Sequence, residues 1–356
     1  MSLNLTESVT LCLINHNGLA HLQEAFSAWD ALVTVFDEIL VIDNASTDGS
    51  LAFLNSRKDV TVIALSRNTG PAGARNIGFE KARNEIILFQ DNDICLTSGA
   101  PENLHAVLKQ EQGVLLSAPR VVYKSHPDTI QYESADCHLL GMMSLRQANK
   151  KCDQAPLTTI RTTSLVTACF MIDRRRWKYG ALFDEGLIFN LEDHDLGVRA
   201  NLLGLKIMAV PEALVRHGKG TEGLSYRPGN KVAATRIYCL IRNRWWIILR
   251  YFSLRTLIVL APILFAFELF QLAGLCFKGW GREWLLALAD TLKNFSRLYG
   301  ERKVYQQQRQ RADRFILRGG GLPLTVAMNS NIAMRGIVRL FEFVMHLYWV
   351  LAKKLL

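Results

Sequence analysis

Short apolar runs cut off by polar turn clusters set the rhythm of the first hundred residues. Residues 9–14, 38–42, 60–65 and 85–89 are apolar or nearly so and read as strands, the first of them buried. Between the first two, residues 19–35 place Leu22, Phe26, Trp29 and Val33 on one face at helical spacing. Residues 74–83 suit another helix. The order β-α-β-α-β-α-β predicts a parallel sheet with helices on both faces. Ligands of such sheets bind outside the carboxyl ends of the strands. The polar clusters fall at those ends, over residues 15–17, 43–48, 68–75 and 91–93. Further on, Glu192-Asp193 opens a helix with Leu196, Ala200 and Leu203 as apolar positions and Gly204 as its cap.

The pattern changes after residue 225. Arg236, Arg242, Arg244, Arg250 and Arg255 interleave with Trp245, Trp246, Tyr251 and Phe252. Residues 256–277 follow, 22 residues with Glu268 as their only formal charge. That length could cross a bilayer, which takes roughly 20 apolar residues. Pro262, Glu268 and Gln271 interrupt it, and an intramembrane Glu is expensive. The expectation is a helix pair lying in, or dipping into, a membrane interface, with Arg and Trp flanks suited to that depth. Residues 282–318 read as helical and very basic, and residues 336–356 as an amphipathic segment ending Lys353-Lys354. A helical core beside the first domain, or a homodimer interface, would bear the same pattern. The division is thus residues 1–225 and residues 226–356.

Charge sharpens this division. Residues 1–215 carry 19 Lys/Arg and 25 Asp/Glu, whereas residues 216–356 carry 23 and 7. The basic second half calls for an anionic partner. With no nucleic-acid-binding motif beside it, an anionic membrane surface is expected and nucleic acid is not. Seven scattered cysteines without a C-x-x-C pair point to a reducing compartment and away from a disulfide framework or zinc site. Residues 1–7 have no basic start or cleavage site, so no secretory leader is expected there.

Candidate chemistry centres on Asp91-Asn92-Asp93, at the exit of the fourth apolar run. Carboxylates there are costly unless something needs them. Two of them one residue apart can hold a hard divalent cation, which also takes phosphate oxygens. That points to a nucleotide diphosphate. A P-loop is excluded, and Gly70-Pro71-Ala72-Gly73 lacks the spacing of a dinucleotide fingerprint.

Five motifs in order resemble the family 2 glycosyltransferases of the GT-A fold. They are Asp43-Asn44-Ala45-Ser46-x-Asp48-Gly49-Ser50; Asn68-x-Gly70-x-Ala72-x-Ala74-Arg75-Asn76-x-Gly78; Asp91-x-Asp93; Glu192-Asp193-x-Asp195-Leu196-x-x-Arg199; and Arg216-His217-Gly218. The pattern is most similar to the bacterial rhamnosyltransferase-like branch, over roughly residues 8–225. The resemblance implies a Rossmann-like α/β sheet that binds a nucleotide diphosphosugar, followed here by the basic, amphipathic helical region. It implies donor contacts from Asn15, His16, Asn17, Asp43, Asn44, Asn68, Gly70, Arg75 and Asp91. Asp43 would meet the base, and many relatives carry a second acid where this chain has Asn44. His16 stands where an aromatic residue often stacks on the base. Arg75 would lie near the diphosphate. Asp93, with Asp91 and His217, would hold Mn2+ or Mg2+. Asp193 would be the general base of an inverting transfer. Asp195 and Arg199, spaced i, i+4, read as a structural pair.

Together these readings predict an inverting, metal-dependent glycosyltransferase at the cytoplasmic face of the plasma membrane. It would move a sugar, with rhamnose suggested by the branch, from a nucleotide diphosphate donor to a lipid-linked saccharide in cell-envelope polysaccharide synthesis. The alternative is a nucleotide-sugar-binding scaffold without turnover. Nucleotidyl transfer ranks low, because Asn15-His16-Asn17-Gly18 replaces the Gly-rich basic loop that it needs.

Overall fold

Alternation along the first strand shows a sheet buried on both faces. In β1 (Val9–Asn15), Leu11 and Leu13 join one apolar core while Cys12 and Ile14 join the other. β2 (Glu38–Asp43), β3 (Thr61–Ala64) and β4 (Ile86–Asp91) complete a parallel set, with β1 between β4 and β2 and β3 outside β2. α1 (Leu19–Trp29), α2 (Ser50–Asn55) and α3 (Gly70–Lys81) connect them. This computed structural model describes residues 7–29, 36–218, 234–322 and 332–356. The end of the predicted first helix, with Val33, and residues 219–233 lie outside the described residues.

The four strands expected to be parallel are so, and the next hundred residues extend them into a mixed sheet. β5 (Ile94–Leu96), α4 (Ala100–Gln110), β6 (Val114–Tyr123) and β7 (His126–Glu133) follow β4. β8 (Ala135–His138), β9 (Met143–Leu145), β10 (Ile160–Thr162) and β11 (Cys169–Asp173) come next, before α5 (Glu192–Leu202) and β12 (Lys206–His217). The ten-stranded sheet runs β10-β12-β6-β11-β4-β1-β2-β3, with β7 on β6 and β5 on β12. β11 is antiparallel to both β4 and β6, so the sheet is mixed. α3 starts four residues before the predicted helix, with Pro71 in its first turn. It also lies close on the sheet, since a Cβ at Gly78 would collide with the Cys12 sulfur. Gly204 follows α5 in the left-handed region, as expected of a cap.

α6 (Ala234–Tyr251), α7 (Leu254–Phe277), α8 (Gly281–Lys293), α9 (Phe295–Gln308), β13 (Leu317–Arg318) and α10 (Ile332–Ala352) complete the chain. Ile247 and Ile248 of α6, Leu264 and Phe267 of α7 and Met345 of α10 share one core with Cys12, Phe89 and Leu196. The C-terminal helices therefore continue the core of the sheet. Arg242, Arg244 and Arg250, read from sequence as flanks of a membrane segment, are buried against protein. Arg250 pairs with Asp184 and Glu301, each at 2.6 Å. Arg244 pairs with Glu268 of α7, whose other carboxylate oxygen accepts from Trp284 Nε1 at 3.0 Å. That pairing removes the objection to an apolar helix carrying an acid.

The outer side of this layer stays apolar. Ile258, Phe265 and Leu269 of α7, Leu285 and Leu292 of α8, and Leu340, Phe343, Leu347 and Leu351 of α10 are exposed. An 18-residue stretch of α7 has a mean hydropathy of 2.1, and the helix is long and apolar enough to cross a membrane by length and composition. It stacks on α10 through Phe270 and Phe341, with ring centroids 5.3 Å apart.

Candidate active site

The carboxyl edge of the parallel strands is braced by its own polar side chains. Asn15, at the end of β1, is fully buried and donates through Nδ2 to Asp43 Oδ1 at 2.8 Å and Ser46 Oγ at 3.1 Å. Its Oδ1 accepts from Asn92 at 2.8 Å. One amide thus ties the ends of β1, β2 and β4 together. Asp43 also accepts from the Ser46 backbone and hydroxyl and is turned inward. Asn44 donates to Asn68 Oδ1 at 3.0 Å and Gly70 O at 3.1 Å, and accepts from Thr69 N at 2.8 Å. A carboxylate could not donate those two bonds, which explains an amide where a second acid was expected. His16 touches Asn44 O through Nδ1 at 2.9 Å, and Asn17 stands exposed in the left-handed region. Gly70, at φ +72°, lets the next loop come close: a Cβ there would meet Ile188 O at 3.3 Å.

The two halves of the predicted cation site lie 124 residues apart in sequence and meet through a strand pair. Antiparallel pairing of β5 and β12 sets His217 opposite Ile94, and Gly218 N donates to Asp93 O at 2.7 Å. Asp93 Oδ2 and His217 Nε2 then stand 3.2 Å apart. Gln131 Oε1 lies 2.7 Å from His217 Nδ1. An amide oxygen only accepts, so this bond fixes the proton on Nδ1 and aims Nε2 at the carboxylate. Such a separation suits two ligands of one cation with bonds of about 2.1 Å. The donor set, one carboxylate and one imidazole, fits a divalent ion that takes its remaining ligands from phosphate and water. Asp91 lies close enough to feel the charge of both. Its Oδ1 pairs with Arg75 at 2.6 Å, and among the described residues no group of three His, Cys, Asp or Glu converges for a cation. Asp91 keeps 31% side-chain exposure at the cleft. Desolvation there still pushes its pKa up to about 6, against the pull of Arg75 and with Asp93 adding to the rise.

Arg75 is the hub of the site. It is 3% exposed, and its guanidinium carbon lies 5.8 Å from the Phe183 ring centroid. Its charge acts on Asp91, Glu192 and Asp193. The last two open α5 behind Leu191, itself left-handed at φ +64°. Asp193 Oδ1 accepts from His194 N at 2.7 Å. Burial raises its pKa well above the carboxylate range, and the neighbouring Glu192 raises it further. Asp195 and Arg199 pair at 3.5 Å with Arg250 beside them, a structural cluster as read from sequence.

Sequence reasoning missed Gln131 and Tyr132. Tyr132, on β7, is 5% exposed, and its hydroxyl has no hydrogen-bond partner among the described residues. Burial and the charges of Asp91, Asp93 and Asp193 hold its pKa well above the phenol value, so it remains a donor. Its ring meets His217 edge-on at 6.4 Å. Neither residue has a local signal: both sit in the mixed stretch His126–Glu133.

Residues 11–176 match the model described as Glycosyl transferase family 2. A stretch of 60 residues is 43% identical to an uncharacterized glycosyltransferase of Haemophilus influenzae, covering 16% of this chain and 24% of that one. Another of 58 residues is 38% identical to the UDP-Glc:alpha-D-GlcNAc-diphosphoundecaprenol beta-1,3-glucosyltransferase WfaP of Escherichia coli, covering 16% and 23%. The chain thus spans about a quarter of the length of these two curated relatives. The solved structure of GalNAc-T7 with UDP, GalNAc and Mn2+ is similar with a TM-score of 0.56, over 73% of this chain and 51% of that one. At 16% identity that likeness is one of fold. Residues 11–176 of this protein are thus similar to a glycosyl transferase family 2 domain, and the chain shares the GT-A fold of that solved structure.

Proposed function

We propose that the protein is a cation-dependent, inverting glycosyltransferase. It moves a sugar, rhamnose being the first to test, from a nucleotide diphosphate donor to a lipid-linked saccharide of the cell envelope. The observation that carries this reading is the arrangement around Arg75: a desolvated acid, Asp193, on one side and the Asp91–Asp93 edge with His217 on the other.

Asp193 takes the proton of the acceptor hydroxyl as that oxygen attacks the anomeric carbon. The bond from that carbon to the phosphate oxygen breaks in the same displacement, so the configuration inverts. A pKa raised by burial favours proton capture near neutral pH. Arg75 offers its guanidinium fork to the diphosphate. His16, Asn17, Asn68 and Gly70 line the nucleotide side, while Asn15, Asp43 and Asn44 hold those loops in shape. Asp93 and His217 would hold a cation, which when bound would supply positive charge to stabilise the departing diphosphate. Imidazole in the donor set favours Mn2+ over Mg2+, which prefers oxygen. The exposed faces of α7, α8 and α10 lie on the membrane interface, with Arg255, Lys278, Arg282, Lys353 and Lys354 in the segments around them to meet anionic headgroups. This brings the site to the cytoplasmic face of the plasma membrane and to a lipid-borne acceptor. The activity for which the Escherichia coli relative is named, on a diphosphoundecaprenol-linked sugar, supports that acceptor class.

The test is nucleotide release from dTDP-rhamnose and from UDP- and GDP-sugars, with lipid-linked acceptors and Mn2+ or Mg2+. Release from one donor, lost on chelation and in Asp93→Ala, is expected. The product's anomeric configuration, read by NMR, should be opposite to the donor's. Release that survives chelation overturns the cation dependence. Silence with every donor and acceptor, together with no donor binding, overturns the transferase reading.

A further inference from the structure

The loop that leads into Glu192-Asp193 is held from two sides, by α3 inside the family-matched segment and by α6 outside it. Ile188, Asn190 and Leu191 are all left-handed, at φ +60°, +65° and +64°. Bulky side chains keep such conformations only where neighbours impose them. On the donor side, Asn76 of α3 donates to Phe183 O at 3.0 Å and Glu185 Oε1 at 2.9 Å, and accepts from Phe183 N at 2.8 Å. On the other side stands α6. Its Asn243, wholly buried, points Nδ2 at three loop carbonyls: Leu187 at 2.8 Å, Phe189 at 3.0 Å and Asn190 at 2.7 Å. Asn243 Oδ1 accepts from Arg242 Nε at 2.9 Å, which fixes the amide's orientation. Arg242 itself donates to Gly186 O at 2.9 Å and Leu187 O at 3.1 Å.

We infer that Asn243 is a positioning residue for the proposed base: by gathering the 187–190 carbonyls it fixes the left-handed turn from which α5 presents Asp193. The inference rests on the reading of Asp193 as base. Asn243 touches neither donor nor acceptor, and it acts only through the loop. The Leu187 carbonyl is buried and those of Phe189 and Asn190 are partly so, and carbonyls away from water need donors; no other side chain in α6 reaches Phe189 O or Asn190 O with a hydrogen bond among the described residues. A residue outside the 11–176 match therefore sets the geometry of the proposed base.

The experiment compares full-length wild type, Asn243→Asp and the milder Asn243→Ser. It measures turnover, nucleoside diphosphate binding with Mn2+, the pH profile of kcat and the melting transition, with Asp193→Asn run in parallel. Asn243→Asp turns a donor into an acceptor facing three carbonyls. The expected result is at least a tenfold fall in kcat, with less than a threefold change in nucleotide affinity. A second expected sign is an acidic limb of the kcat profile displaced to lower pH, because a loosened loop lets water reach Asp193. Asn243→Ser should show the same pattern at smaller amplitude. Unchanged kcat, kcat and affinity falling together, or loss of cooperative melting in both variants would each overturn the positioning role. If Asp193→Asn retains full turnover, the base assignment fails instead, and the two failures are told apart.

Discussion

The donor edge and the base-bearing loop solve the same problem in opposite ways. The donor edge braces itself: Asn15 bonds to Asp43 and Asn92, and Asn44 to Asn68, across loops no more than 77 residues apart. The loop before Asp193 relies on Asn76 far upstream and on Arg242, Asn243 and Arg250 downstream. A self-braced edge can be kept as a module. A borrowed brace ties catalysis to whatever the C-terminal helices touch. Since α6 is also locked to α7 through Arg244 and Glu268, the base side stands one helix away from the exposed apolar face.

Breaking that lock should give the largest effect on the fold. Glu268→Ala leaves the Arg244 guanidinium buried without its carboxylate, a loss of about 3–5 kcal/mol. Chemical denaturation should show it, whereas a surface ion pair such as Arg57–Asp59 should contribute under about 1 kcal/mol. On the donor side, Gln131→Leu frees the His217 ring and should weaken Mn2+ dependence about 10–100-fold, read as the metal concentration for half-maximal turnover. Asn44→Asp should cost less, a several-fold loss of nucleotide affinity with kcat nearly intact, since it replaces donors to Asn68 and Gly70 with acceptors.

The pH dependence separates the halves more finely. A base works only unprotonated, and burial with Glu192 beside it raises the Asp193 pKa. Activity should therefore fall on acidification well above the ordinary carboxylate pKa of about 4. Asp91, with its pKa near 6, adds a second loss below that pH as its pairing with Arg75 weakens. An acidic limb at pH 4 in kcat would contradict both assignments. Smallest of all, Phe265→Ser on the exposed face of α7 should leave kcat on a soluble acceptor analogue unchanged and lower binding to anionic vesicles by a few fold, measured by co-sedimentation.

The same contrast explains what the sequence made legible. β1, β2, β3 and β4 were readable because each is an apolar run stopped by polar turn residues, as in Val9–Asn15 before His16-Asn17-Gly18. The donor loops followed from their place at the strand ends. β8, β9 and β10 were not readable: three or four residues are too few for any periodicity to appear. The antiparallel entry of β11 beside β4 likewise has no local signature. His217 was found by motif, but its orientation by Gln131 depends on a pairing between distant strands. The arginines of α6 misled for a physical reason. Composition counts charges without their partners, and Arg250 finds Asp184 and Glu301 only once the chain is folded.

The most direct test of the account is Asp193→Asn measured twice, for sugar transfer and for nucleoside diphosphate binding in the presence of Mn2+. The account predicts that transfer falls by about 10²–10⁴-fold while binding holds within about threefold, because the donor edge braces itself without α5. Retained transfer, or binding lost together with transfer, would contradict it.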